Sequence, residues 1–363
     1  MARGYNSAAD VIRSRDGQDL NQMWSEFQQT LQIVNTKRTL IGSLFSFVTT
    51  DASAEVVQST GGSSFEVASE YGVPQGLRTS PDTLEVGFPI EYYDLGARYT
   101  WRFLKDASAE QIEAVHREAL TAYNKLVYGL VMNALVNPNP KQPSNLAVPV
   151  YGLWNGTDGM TPPPYGGNTF DTTHSHYLTS GVADVDGGDL ELLTETVQHH
   201  GYGLDERGDQ LVILCHPYQG DVIRGFRKGV NGSKFDFIAS DDAPAYLTQE
   251  TIIGETPPGS FEGLKIFGSY GRAWLAEDRM IPNGYLVSVA TGGANSSNNP
   301  LAIRQDERTQ YQGLMQIPGD NNAYPLKESY YSAYTGAGVR LRGAAAVMQV
   351  TASPTYAAPV FVS

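Results

Sequence analysis

Two groups of histidines are the residues of this chain whose types and spacing could bind a metal ion. His174 and His176 are separated by one residue, so an extended chain places both imidazoles on one face of a strand. His199, His200 and the nearby His216 could supply the other ligands of a zinc site. Metal sites also commonly contain cysteines or carboxylates at defined spacing, and none accompanies these histidines. We therefore predict ordinary surface or interface histidines and no metal site.

A second candidate is the acidic segment from Asp184 to Asp189, with Glu195 at its twelfth position. Its carboxylates partly match a calcium-binding loop. Such a loop requires glycine at its sixth position, where this chain has Asp189, and Gly188 lies one position too early. Acidic residues before a helix also cap its N-terminus and suit its dipole. Helix capping, without calcium, is the prediction.

The short motifs that carry common enzyme chemistry are absent from the sequence. It contains no GxSxG elbow, Walker A loop, GxGxxG fingerprint or HExxH helix, and the glycine-rich segment from Gly229 to Lys234 has the wrong spacing for a phosphate loop. The single cysteine, Cys215, lies in an apolar run, which predicts a buried, inert side chain. We predict no enzyme activity, no catalytic residue and no cofactor.

The composition is that of a large, folded, acidic protein. Its 363 residues exceed the size at which one hydrophobic core stops growing, roughly 250–300 residues, so we expect at least two core-bearing lobes. A net charge of -14 argues against a protein that coats DNA through clustered Lys and Arg. The N-terminus lacks a signal-peptide core, and the longest apolar stretch, 126–136, is far short of the ~20 residues that span a bilayer. These features predict synthesis in the cytosol.

The first 93 residues contain an amphipathic helix followed by a polar ribbon. The helix begins after Asp19, and its apolar positions recur at helical spacing: Leu20, Trp24, Phe27, Leu31 and Val34. This stripe either packs in the core or docks on a neighbouring subunit. The ribbon, 52–93, has two alternating runs, 64–71 and 83–92. A lone hairpin is marginally stable in water, so we expect it to lie on another copy of the chain.

The longest predicted helix starts at Ser108, where Gln111 completes a capping box, and ends near Val136 before a proline-rich segment. Its length of roughly 43 Å suits a spine against which sheets pack. Before it, the segment containing Tyr99, Trp101 and Phe103 is predicted to be a strand.

Helices and strands alternate in the second half, which predicts an α/β lobe. Helices are expected at 190–200 and 218–228, and strands at 210–215, 264–267 and 285–290. A final long strand, 338–351, is predicted to rejoin the first lobe. There, Arg340 and Arg342 would share a contact-making face opposite Val339 and Leu341.

Short sequence segments along almost the whole chain resemble the major capsid proteins of tailed phages, particularly those of actinobacterial phages. The segments that carry the resemblance are DLGARYTWRFLKDASAEQIEAVHREAL, HSHYLTSG with GDLELL, IPNGYLV and GVRLRGAAAVMQV. The resemblance implies an α+β fold of the Hong Kong 97 type. It also implies an N-terminal arm over 1–51, an E-loop over 52–93, a P-domain over 94–188 and 330–363, and an A-domain over 189–329.

The function implied by the resemblance is self-assembly into hexamers and pentamers of an icosahedral shell that encloses double-stranded DNA without sequence-specific binding. An encapsulin-like compartment around cargo enzymes is the alternative. Because the chain reaches the arm directly after Met1, we expect a separate scaffolding protein or none. A portal and minor capsid or decoration proteins are further expected partners, assembly is expected in the host cytoplasm, and a Lys–Asn cross-link between subunits stays open.

Overall fold

Helices and strands are mixed along the chain, which confirms the predicted α+β class. The computed structural model describes residues 13–57, 67–68, 70–73, 83–230, 232–243, 256–318 and 326–361. Up to the end of the spine the elements are α1 (Leu20–Thr36), α2 (Leu40–Phe45), β1 (Ser46–Thr49), β2 (Ser53–Val57), β3 (Thr83–Gly87), β4 (Glu91–Thr100), α3 (Trp101–Asp106) and α4 (Ala109–Val136).

The rest of the described chain forms two helices of seven or more residues and eleven strands. They are β5 (Tyr177–Thr179), α5 (Gly187–Gln198), β6 (Gln210–Cys215), α6 (Pro217–Ile223), β7 (Phe237–Ala239), β8 (Ser260–Phe261), β9 (Leu264–Tyr270), β10 (Ala273–Glu277), β11 (Tyr285–Thr291), β12 (Leu301–Gln305), β13 (Leu314–Pro318), β14 (Leu326–Val339) and β15 (Ala345–Gln349).

Two large sheets and one small ribbon are formed by these strands. The five-stranded sheet has β14 at its centre, with β4 on one side and β12 and β13 on the other, and β1 continues it beyond β12. The eight-stranded sheet runs β5-β15-β11-β6-β10-β9-β7, with β8 beside β9. The ribbon is the antiparallel pair β2-β3.

The spine helix α4 packs against strands of both sheets, and its role as a spine for sheet packing was predicted from the sequence. The side chain of Gln111 accepts a hydrogen bond from the backbone N–H of Ser108 at 2.9 Å, so the capping box forms. The C-terminal half of α4 buries Val131 and Leu135 in a core shared by strands of both sheets. Each such side chain contributes about 1.5–3 kcal/mol on burial. The spine therefore holds the two sheets in one packed core.

Helix α1 packs on the same chain. Its buried residues Leu20, Met23, Phe27 and Leu31 lie against the first half of α4 and strand β14. Trp24, which the sequence placed on the buried stripe, is only partly buried. Of the two predicted roles for this stripe, core packing is the one that the structure supports.

The strand predicted immediately before the spine helix ends earlier than expected. Tyr99 lies in β4, but Trp101 and Phe103 belong to α3. The reason is local: the Thr100 side chain accepts a hydrogen bond from the backbone N–H of Phe103 at 3.1 Å and caps a new helix.

In the second half, α6 stops at Ile223, well before residue 228, because Phe226 turns inward to the core and its carbonyl oxygen accepts a hydrogen bond from the N–H of Phe237.

The predicted single strand from 338 to 351 is wrong. Strand β14 ends at Val339, a turn follows, and β15 starts at Ala345 between β5 and β11 of the eight-stranded sheet. Within the turn, Arg342 is buried and forms an ion pair with Asp158, each side chain being 1% exposed. The two arginines therefore do not share the predicted contact-making strand face: both lie in the turn, and Arg342 is directed inward to its counter-ion, which a buried charge requires.

Candidate functional site

In the described part of the ribbon, the strand that pairs with β3 is not the predicted run 64–71. Ser53 pairs with Gly87 and Val57 with Thr83, so β2 is the partner of β3. Half of the predicted run 64–71 lies outside the described residues, and the end of the run 83–92 enters the five-stranded sheet as the start of β4. The hairpin base packs on the body of the subunit through a small core with Trp154.

Large apolar side chains of the segment between the two ribbon strands face solvent. Val67 is 98% exposed, Tyr71 92% and Val73 93%. Isolated exposed apolar residues are ordinary, but three within seven positions of one segment are typical of a surface that another molecule covers. This segment is the candidate interaction site of the subunit.

A buried histidine connects helix α1 to the spine. His116 of α4 is stacked on Phe27, with ring centroids 4.1 Å apart, and its Nδ1 lies 3.3 Å from the hydroxyl oxygen of Tyr331. Its Nε2 is buried without a hydrogen-bond partner among the described residues. Burial lowers the pKa of His116 below its ordinary value of 6.5. The packing of α1 thus depends on a neutral imidazole.

We expect acidification to weaken this contact. Because the folded state lowers the pKa of His116, the unfolded chain takes up the proton first. The stabilisation is complete above pH 6.5 and is lost as the pH falls through the folded-state value. Urea unfolding of unassembled subunits at about pH 7.5 and about pH 5.5 measures this loss, and His116→Phe should show a smaller loss than wild type.

His216→Asn is the matched control for that measurement, because it removes a histidine at the N-cap of α6, away from α1. It should keep the wild-type difference between the two pH values. An equal loss of unfolding free energy in wild type and His116→Phe would contradict the role of His116.

The structure brings four of the five candidate metal-ligating histidines together. His174, His176, His199 and His200, called here the histidine cluster, offer ring nitrogens that all lie within 4.8 Å of one another. His216 is not among them, because its Nδ1 accepts a hydrogen bond from the backbone N–H of Tyr218 and caps α6.

Burial determines the protonation of the cluster. Burial, with a smaller contribution from the neighbouring imidazoles, lowers the pKa of His174 to about 4 and that of His200 to about 3. The pKa of His176, which is fully buried, lies well below the ordinary value, and burial also lowers the pKa of His199. All four rings are therefore neutral at neutral pH.

Comparison with known proteins identifies the family. No family model and no curated protein sequence matches the chain. Among solved structures, a chain of Mycobacterium phage Patience is similar over 99% of this chain and 97% of that chain, with 37% sequence identity and a TM-score of 0.76. A capsid chain of an empty GTA particle is similar over 86% of this chain and 89% of that one, with 11% identity and a TM-score of 0.50, and it supports the fold alone.

The chain belongs to the Hong Kong 97-type major capsid proteins of tailed phages. In this capsid protein the acidic segment before α5 serves as a helix cap. The Asp186 carboxylate accepts from the N–H of Asp189, and the Asp189 carboxylate accepts from the N–H of Asp186, both at 3.0 Å. Desolvation raises the pKa of Asp189 to about 6. The predicted capping is confirmed.

Cys215 of the capsid protein is fully buried in β6, as predicted, and burial raises the pKa of its thiol. In the described part of the chain, no helix combines the length and the apolar character needed to cross a membrane.

Proposed function

We propose that this capsid protein assembles into hexamers and pentamers of an icosahedral shell that encloses double-stranded phage DNA. The observation that carries the proposal is the 37% identity to a phage chain over 99% of this chain. Its physical role is structural, with no enzyme activity and no cofactor. Assembly takes place in the host cytoplasm, and the finished protein resides in the virion capsid.

The proposed division of the subunit follows the fold family. Residues 1–51 are assigned to the N-terminal arm, 52–93 to the E-loop, 94–188 and 330–363 to the P-domain, and 189–329 to the A-domain. The exposed apolar residues between the two ribbon strands support an E-loop that lies on a neighbouring copy, because that contact would remove them from water. On α1, Ile33 is 61% exposed and could contact a neighbour while the opposite face stays in the core.

Charge supports DNA as the enclosed material. A subunit of net charge -14 does not hold phosphates by a dense basic coat, so a genome can slide past the shell during packaging. Binding to DNA is then independent of sequence. The proposed partners are other copies of the chain, a separate scaffolding protein, a portal and minor capsid or decoration proteins.

Expression of the full chain, alone and with the scaffolding protein of its phage, tests the proposal. Gel filtration should give particles in the megadalton range, and negative-stain electron microscopy should show closed shells built of hexamers and pentamers, because one subunit type must tile a closed surface. A small soluble oligomer under both conditions would contradict assembly. In particles isolated from infected cells, nuclease-resistant genomic DNA supports the phage function, whereas an enclosed enzyme would show an encapsulin-like compartment.

A further inference from the structure

None of the residues proposed above for contacts between subunits belongs to the histidine cluster. Two of its members precede β5 and two follow α5, so the folded chain brings together residues from separate segments. We propose that His174, His176, His199 and His200 bind one divalent transition-metal ion, with zinc as the expected occupant. Neutral imidazole nitrogens are ligands that suit zinc, copper, iron and nickel.

Three Nε2 atoms form a near-regular triangle. His174 and His176 are 3.2 Å apart at these atoms, His174 and His200 are 3.0 Å apart, and His176 and His200 are 2.9 Å apart. Tetrahedral zinc with Zn–N bonds of about 2.0–2.1 Å has nitrogens about 3.3–3.4 Å apart. An ion above the triangle would therefore need the three rings to separate by only a few tenths of an ångström, and His199 is near enough to supply the fourth nitrogen.

The tautomer of His176 is determined by its neighbour. Its Nδ1 lies 2.7 Å from the backbone carbonyl oxygen of Ala345. A carbonyl only accepts hydrogen bonds, so the proton of the neutral ring is on Nδ1 and the lone pair is on Nε2. A metal-binding histidine commonly donates its other ring N–H to a carbonyl, which orients the ring toward the ion.

Hydrogen bonds within the cluster cannot account for all of its contacts. His176 has no proton on Nε2, so His174 and His200 can supply at most two donors for three contacts. At least one close nitrogen–nitrogen contact is then without a hydrogen bond. The Nε2 of His199 is also buried without a partner among the described residues. Buried polar atoms rarely lack partners, and a shared cation would receive these lone pairs.

The surroundings fit a closed structural site. The ring centroid of Phe170 lies 4.2 Å from that of His200, 4.7 Å from that of His174 and 5.0 Å from that of His199, so an apolar ring covers three imidazoles. Gly343 makes room on another side, because a Cβ there would lie 3.1 Å from Cγ of His200. Four protein ligands without an open position are typical of structural zinc.

Such an ion would connect the segment just before β5 with the segment just after α5. Metal binding to the folded state alone stabilises that state by mass action. The proposed site is thus a metal cross-link within each subunit, and it does not depend on how the subunits assemble.

The test uses untagged full-length protein, purified without metal-affinity resin, so that a histidine tag cannot contribute a site. After equilibration with zinc and dialysis, elemental analysis should find about one zinc per subunit. A cobalt-loaded sample should show the visible absorption bands of tetrahedral Co²⁺, and zinc should displace them. Chelator should lower the melting temperature of the wild-type protein.

Variants locate the ion. His174→Gln and His200→Gln should lose the stoichiometric zinc, and chelator should no longer change their melting temperature. His216→Asn, outside the cluster, should behave as wild type. Wild-type protein that retains no zinc, shows no tetrahedral cobalt spectrum and melts at one temperature with or without chelator would overturn the proposal, even if the variants fail to fold. A failure of shell assembly would leave these measurements unaffected.

Discussion

Replacing Asp158 with alanine will lower the free energy of unfolding of the subunit by about 3–5 kcal/mol. Asp158 and Arg342 form an ion pair in which each side chain is 1% exposed. Removal of the carboxylate leaves a buried guanidinium without its counter-ion, and the cost of that unpaired charge dominates the loss. A loss of this size is a large part of the stability of a typical domain.

The other contacts of Arg342 cannot compensate for the missing carboxylate. Its Nε donates to the carbonyl oxygen of Gly152 at 2.9 Å, and one Nη donates to that of Leu153 at 3.2 Å. Its guanidinium carbon lies 4.1 Å from the ring centroid of Trp154. These neutral partners orient the side chain, but none carries the negative charge that a buried cation requires.

Urea unfolding of unassembled subunits, followed by tryptophan fluorescence, measures the change. The double variant Asp158→Leu with Arg342→Met is the matched comparison, because it removes both charges and keeps apolar volume at both positions. It should recover much of the loss, since apolar replacement of a whole buried pair is often neutral or stabilising. A loss below about 1 kcal/mol for Asp158→Ala would place the pair among weak surface contacts and contradict the prediction.

This ion pair also shows why the C-terminal tract was predicted incorrectly. The alternation of residues 338–351 is that of one strand, and Arg340 and Arg342 fall two apart within it. Local alternation cannot show that a carboxylate 184 positions earlier in the chain pairs with Arg342. The turn between β14 and β15 is determined by that tertiary contact. The periodicity of the sequence alone therefore could not predict this turn.

Elements with strong local signals were predicted well. Strand β6 was predicted at its observed bounds, because a continuous apolar run between polar neighbours marks where a buried strand begins and ends. The spine helix was found from its capping box and the proline-rich segment that follows Val136. In both cases the decisive residues are adjacent or a few positions apart.

The histidine cluster was predicted only in part. The sequence paired His174 with His176 and His199 with His200, but the argument from missing cysteines and carboxylates led to a prediction of no metal site. Only the fold shows that the end of α5 meets the start of β5, with the Ala345 carbonyl behind His176. From the sequence alone, His216 was a candidate metal ligand like the other four histidines, and only the structure shows that it caps a helix.

Deletion of residues 60–82 will abolish shell assembly and leave the subunit folded. Val57 lies opposite Thr83, so the deletion leaves a two-residue loop, 58–59, which Asn-Gly in place of the native pair should close as a type I′ turn. The hairpin base keeps its core, because Leu84 and Val86 pack with Trp154. The exposed residues Val67, Tyr71 and Val73 are lost, and burial of each on a neighbour would supply about 1.5–3 kcal/mol.

Circular dichroism and thermal melting of the deletion variant should match wild type, while negative-stain images and sedimentation should show free subunits or small oligomers. The matched control changes Val67, Tyr71 and Val73 to serine in the full-length chain and should reduce the yield of shells in the same direction. Val182→Ser, which changes another exposed apolar residue outside the ribbon, should assemble as wild type. Normal shells from both the deletion and the triple variant would contradict the E-loop assignment, because intersubunit contacts would then not require this segment.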